Sequence, residues 1–166
     1  MGNAYAKLND YSNAIKFLQK SLAEHRTSEV LTRLRELEML KKQLDIDAYR
    51  SPELSDQARE RGNTFFKASK FVEGVTEYTE AIKRNDTDPR NYSNRAACYA
   101  KLLAMNEAEK DCNTAIKLDP KFVKAYIRKA AILHTKREYM ACVDLCNEAK
   151  AIDVEGKHAT ELEAQV

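Results

Sequence analysis

Shifted against itself by 34 residues, the sequence superimposes Gly62 on Ala96 and Ala130, Gly74 on Ala108 and Cys142, and Ala81 on Ala115 and Ala149. A repeat of this length constrains the fold more than any other feature, because one copy cannot bury its apolar face alone and must stack on its neighbours. Small residues recur where helices must touch. Larger ones fill the gaps with the same shift: Tyr92 and Tyr126; Phe65, Tyr99 and Leu133; Phe71, Met105 and Tyr139; Tyr78, Cys112 and Cys146. Gly and Pro are scarce, and Ala, Leu, Lys and Glu dominate, so the copies are expected to be helical. The spacing predicts one helix from Ser55 to Ser69, a turn at Lys70 and Phe71, and a second helix from Val72 to about Asn85, with Ser55 as N-cap. Asp88-Pro89 and Asp119-Pro120 are expected to end helical stretches, because proline disfavours helix at the residue before it.

Helix, turn and helix in 34 residues, with small residues at fixed offsets, resembles the tetratricopeptide repeat. The resemblance implies an all-α superhelix of antiparallel helix pairs, with three complete repeats plus flanking helices. Two departures from the family pattern stand out. The aromatic residue at the start of each first helix is present as Tyr92 and Tyr126 but replaced by Ala58, and the leucine before the small residue is replaced by Arg61, Arg95 and Lys129. The second substitution looks like the subclass that binds acidic chain ends.

The first 54 residues fit the frame in part. Gly2 falls at a small-residue position, followed by Tyr11, Ala14, Leu18 and Ser21 at matching offsets. Residues 28–49 carry Val30, Leu31, Leu34, Leu37, Leu40 and Leu44 on one stripe opposite a charged face. That stripe spans barely two heptads, too few for a coiled-coil dimer, so a monomer is expected. The domain reading is therefore a partial repeat at 1–27, a charged capping or connecting helix at 28–50, a linker at 51–54, a complete three-repeat domain at 55–153, and the start of a C-terminal capping helix at 154–166.

Charge and cysteine usage narrow the function. A formal net charge of +2 gives no nucleic-acid footprint and no attraction to an anionic membrane. No apolar run approaches a membrane span, and the polar opening MGNAYAKLND lacks a signal-peptide core, so a cytoplasmic location is expected. Asn85-Asp86-Thr87 and Asn91-Tyr92-Ser93 match the glycosylation pattern, which matters only in a secretory compartment. Cys98, Cys112, Cys142 and Cys146 form no C-x-x-C pair and are expected to be packed, reduced thiols with no metal. His25, His134 and His158 are scattered, and neither a nucleophile elbow nor a phosphate-binding glycine loop is present. Neither catalysis nor a cofactor is expected.

Stacked helical pairs place the first helix of each repeat along a concave groove. Arg59 and Asn63 share a helical face, as do Lys124 and Arg128, and Asn94 lies on the helix between them. Three cations and two amides can thus converge on an anion. A C-terminal aspartate suits them, since it offers an α-carboxylate and a side-chain carboxylate close together. Charged donors supply strength and amide donors supply direction. Micromolar affinity, about 8 kcal/mol, is expected.

The segments ARERGNTFF, NYSNRAACYAKL and KFVKAYIRKAA look like the three parts of the dicarboxylate clamp of chaperone-binding tetratricopeptide domains. Resemblance places the clamp roles on Arg59, Asn63, Asn94, Lys124 and Arg128, with Arg59 where lysine is commoner. It implies binding of the Glu-Glu-Val-Asp tail of heat-shock proteins 70 and 90. Phe66, Ala97, Ala100 and Lys101 would form a secondary part of the groove. KSLAEHRT and TEAIKRN, with the order of partial repeat, charged helix and complete clamp, resemble the Hsp-organising, stress-inducible co-chaperone family, whose members link chaperones for client transfer. In that family the unit after the charged helix is associated mainly with heat-shock protein 70. The rival expectation is a repeat scaffold that binds an internal segment of another partner through the apolar groove.

Overall fold

A computed structural model describes residues 10–24, 27–153, 156 and 158–164. The expected small residue Gly2, the chain's opening nine residues and His25 lie outside the described residues. Among the described residues every regular element is a helix: α1 Tyr11–Glu24, α2 Ser28–Tyr49, α3 Pro52–Lys67, α4 Phe71–Arg84, α5 Pro89–Lys101, α6 Met105–Leu118, α7 Val123–Thr135, α8 Tyr139–Ile152 and α9 Ala159–Glu163. No helix among them is long and apolar enough to cross a membrane. The chain divides into two compact units, residues 1–50 and 51–166.

In the first unit α1 packs on α2 through Ala14, Leu18, Leu34 and Leu37, flanked by Tyr11, Ile15, Leu22 and Val30. Thr27 caps α2, its hydroxyl accepting from the Val30 N–H at 3.4 Å. The apolar stripe expected along α2 is buried only in its first half. Leu40 and Leu44 are each 43% exposed, because α1 is shorter than α2 and covers only its beginning.

In the second unit three helix pairs, α3–α4, α5–α6 and α7–α8, stack in chain order, and α9 adds to α8. The small residues that recur in the sequence lie at the contacts, with Ala81, Ala96, Ala108, Ala115, Ala130 and Ala149 all fully buried. Tyr78, Cys112 and Cys146 fill the equivalent interior position in successive pairs, whereas Tyr139, at the position of Phe71 and Met105, is exposed. Two tyrosines repeat a bond as well as a position: Tyr92 donates to the Asp86 carbonyl at 3.1 Å and Tyr126 to the Pro120 carbonyl at 3.0 Å. Arg95, where leucine is usual, forks onto Asp111 at 2.7 and 2.8 Å and donates to the Thr79 hydroxyl at 3.0 Å, joining α4, α5 and α6.

Three boundaries differ from the sequence expectation. Helix α3 begins at Pro52 and its cap is Ser51, whose hydroxyl accepts from the Leu54 N–H at 3.3 Å. Residues 52–54, expected as linker, are its first turn, since proline loses nothing at a position whose N–H has no helical partner. Ser55 is instead buried and donates to the Ala81 carbonyl at 2.8 Å. Asp88-Pro89 starts α5 by the same device, with Asp88 as cap. The turns lie at Ala68–Lys70, and Phe71 already belongs to α4. The glycosylation match at Asn91 falls on a fully buried side chain bonded to Ser55.

Candidate functional site

In the second unit a cleft of about 140 Å³ opens between the first helices of the three pairs. Its lining is Asn63, Phe66 and Lys67 from α3, Tyr78 from α4, Asn94 and Ala97 from α5, and Arg128 from α7. Of the residues selected from the sequence, Asn63, Asn94, Arg128, Phe66 and Ala97 therefore meet in one place. Lys124 lies one turn before Arg128 on α7 and is exposed, and Arg59 lies one turn before Asn63 on α3; neither lines the cleft. Ala100 packs against the cluster of Ala96, Ala108, Cys112 and Ile132 instead of flooring the cleft, and Lys101 is exposed at the end of α5.

The two amides are bonded to each other. Asn94 donates its Nδ2 to the Asn63 Oδ1 at 3.2 Å, and the same oxygen accepts the Tyr78 hydroxyl at 2.8 Å. Arg128 donates through Nη1 to the Ser93 hydroxyl, tying α7 to α5. Tyr78 reaches Asn63 because residue 62 is glycine: a Cβ there would lie 2.7 Å from the tyrosine ring. Burial pushes the Tyr78 hydroxyl up to about 12, so it is a neutral donor at physiological pH. The cleft presents amide and guanidinium donors beside the apolar Phe66 and Ala97.

Arg59 already has carboxylate partners. Its guanidinium meets Asp56 at 2.6 Å and Glu60 at 3.3 Å, and Arg90 approaches the same Asp56 oxygen at 3.6 Å. Choosing residues by type at five positions left these carboxylates out, though Asp56 lies three residues before Arg59 and so shares its helical face. Sequence reasoning also missed Lys67 and Tyr78. The signal for Tyr78 was present, since the other two repeats put cysteine at its position and only this copy carries a hydroxyl.

Two stretches match models of the tetratricopeptide repeat, residues 89–122 and residues 1–23. Hsp70-Hsp90 organizing protein 2 of Arabidopsis thaliana is 50% identical over 142 residues, which are 83% of this chain and 25% of that protein. The chain thus spans about a quarter of that relative's length. Among solved structures, the TPR2AB-domain:pHSP90 complex of yeast Sti1 superimposes with a TM-score of 0.92 at 44% identity, covering 99% of this chain and 65% of that one. The TPR2B-domain:pHsp70 complex of yeast Sti1 gives 0.67 at 41% identity, covering 68% of this chain and 93% of that one.

Proposed function

We propose that this chain, which belongs to the tetratricopeptide-repeat family, is a co-chaperone adaptor that holds the C-terminal Glu-Glu-Val-Asp tail of heat-shock protein 70, heat-shock protein 90 or both, linking chaperones for client transfer. The observation that carries the reading is the meeting of Asn63, Asn94 and Arg128, from three successive helix pairs, in one cleft of a unit that is 41% identical to a yeast Sti1 domain solved with an Hsp70 peptide. Asn63 and Asn94 orient the terminal carboxylates, and Arg128 neutralises them. Lys124 and Arg59 stand one turn along their helices, where they meet the outer carboxylates of the tail. Phe66 and Ala97 take its apolar side chains, with Lys101 at the rim. The complete three-repeat unit, α3 to α8, is the binding domain. The adaptor works as a monomer in the cytoplasm, without turnover of its own.

Calorimetric titration with tail peptides of both chaperones tests this. Wild type is expected to bind with micromolar Kd, and Lys124→Ala/Arg128→Ala to bind at least a hundredfold more weakly, since two charged hydrogen bonds of about 1.5 kcal/mol or more are lost. Amidating the peptide's C-terminus removes the α-carboxylate and is expected to abolish binding. Equal affinity for the amidated peptide would mean that an internal segment, not a chain end, is recognised.

A further inference from the structure

The Asn63 carboxamide has one acceptor and two donor hydrogens, and its acceptor is used twice. The Tyr78 hydroxyl and the Asn94 amide both point at Oδ1, at 2.8 and 3.2 Å. With the Tyr78 hydroxyl and the Asn94 amide both donating to Oδ1, the NH2 end of Asn63 is the group available to a ligand in the cleft. The tyrosine is fixed from behind. Its ring is 2% exposed, it rests on Gly62, and its hydroxyl is the polar tip of a side chain anchored in α4, outside the three first helices. Without that hydroxyl only Asn94 holds the oxygen, and because the Asn94 amide can turn together with that of Asn63, the pair can present an oxygen to an incoming carboxylate.

We infer that Tyr78 is a positioning residue for the terminal carboxylate bound in this cleft: its hydroxyl locks the Asn63 amide with its NH2 toward the ligand and its oxygen away. The inference rests on the reading given under the preceding heading. It makes α4, a helix that contributes no other residue to the cleft lining, part of the recognition of a chain end. It also gives the glycine at 62 a functional reason, because any side chain there would push the tyrosine ring off its seat.

The test is a double-mutant cycle read by calorimetry with a peptide ending in Glu-Glu-Val-Asp, on wild type, Tyr78→Phe, Asn63→Ala and the double variant, with thermal unfolding of each. Phenylalanine keeps the ring on Gly62, so Tyr78→Phe is expected to unfold within a few degrees of wild type yet bind about tenfold more weakly. On the Asn63→Ala background, Tyr78→Phe is expected to cost nothing further. Asn63→Asp supplies a second handle: it keeps an acceptor for Tyr78 and Asn94 but has no NH2, and is expected to lose tail binding while remaining folded. Wild-type affinity in Tyr78→Phe, the same loss with and without Asn63, or full binding by Asn63→Asp would each overturn the inference while leaving the proposed function intact. A wild-type chain that binds no tail would overturn both.

Discussion

Arg59 shows how a residue can satisfy a sequence pattern and still be engaged elsewhere. With Asp56 at 2.6 Å and Glu60 at 3.3 Å, an incoming carboxylate has to compete with two built into the same helix. Removing one competitor is expected to help binding. Asp56→Asn should tighten the tail complex two- to threefold at low salt, the scale of a surface ion pair, and the gain should vanish as salt screens it. Calorimetry at two ionic strengths reads this directly, and unchanged affinity would mean that Arg59 plays no part in holding the tail. The residues that meet in the cleft were legible in the sequence where the repeat fixed their phase, as with Asn63, Asn94 and Arg128. Lys67 was not, and Tyr78 stood out only as the one hydroxyl at its repeat position: that it reaches Asn63 depends on the angle between helices and on the room left by Gly62.

The same limit appears in the elements. Helix existence and order followed from the 34-residue period, but the turns came one to two residues earlier than expected because they contain no glycine to mark them. Ser69, Leu103 and Arg137, spaced by 34, adopt φ of 58°, 59° and 63°. Each turn closes with a pair of main-chain bonds: Lys70 to Phe65 and Ser69 to Phe66, Ala104 to Tyr99 and Leu103 to Ala100, Glu138 to Leu133 and Arg137 to His134. This is the Schellman closure, which satisfies the last carbonyls of the first helix and favours glycine at the left-handed position. A branched side chain there costs about 1 kcal/mol of backbone strain. Leu103 is 77% exposed and loses little packing when truncated, so Leu103→Gly is expected to stabilise the protein by about 1 kcal/mol in denaturant unfolding. A loss of stability would show that its side chain matters more than its backbone.

Across the whole molecule, acidic side chains without charge are concentrated in the interior of the second unit. Burial pushes the Cys98 thiol up to about 11, the Cys112 thiol up to about 12 and the Tyr78 hydroxyl up to about 12. In the unfolded chain these groups release their protons near their ordinary values, about 9 for the thiols and 10 for tyrosine. Above pH 9 the unfolded state therefore holds fewer protons than the folded one, and stability falls with rising pH through the window up to about 12. Denaturant midpoints are expected to be lower at pH 10.5 than at pH 8, and a flat profile would mean that these groups are more solvated than their burial indicates. None of the four buried cysteines is in a disulfide, so none limits this by forming one.

The left-handed turns recur at intervals of 34, and so do the residues that end the second helices: Asn85, Asp119 and Asp153, whose N–H groups bond Ala81, Ala115 and Ala149. Every joint in the array is thus closed by main-chain groups at the same phase. A gain or loss of 34 residues, cut at equivalent points, leaves each joint with its partner, while an insertion of another length within a closing turn separates the groups that bond there. The repeat is therefore the natural step in which such an array can lengthen or shorten.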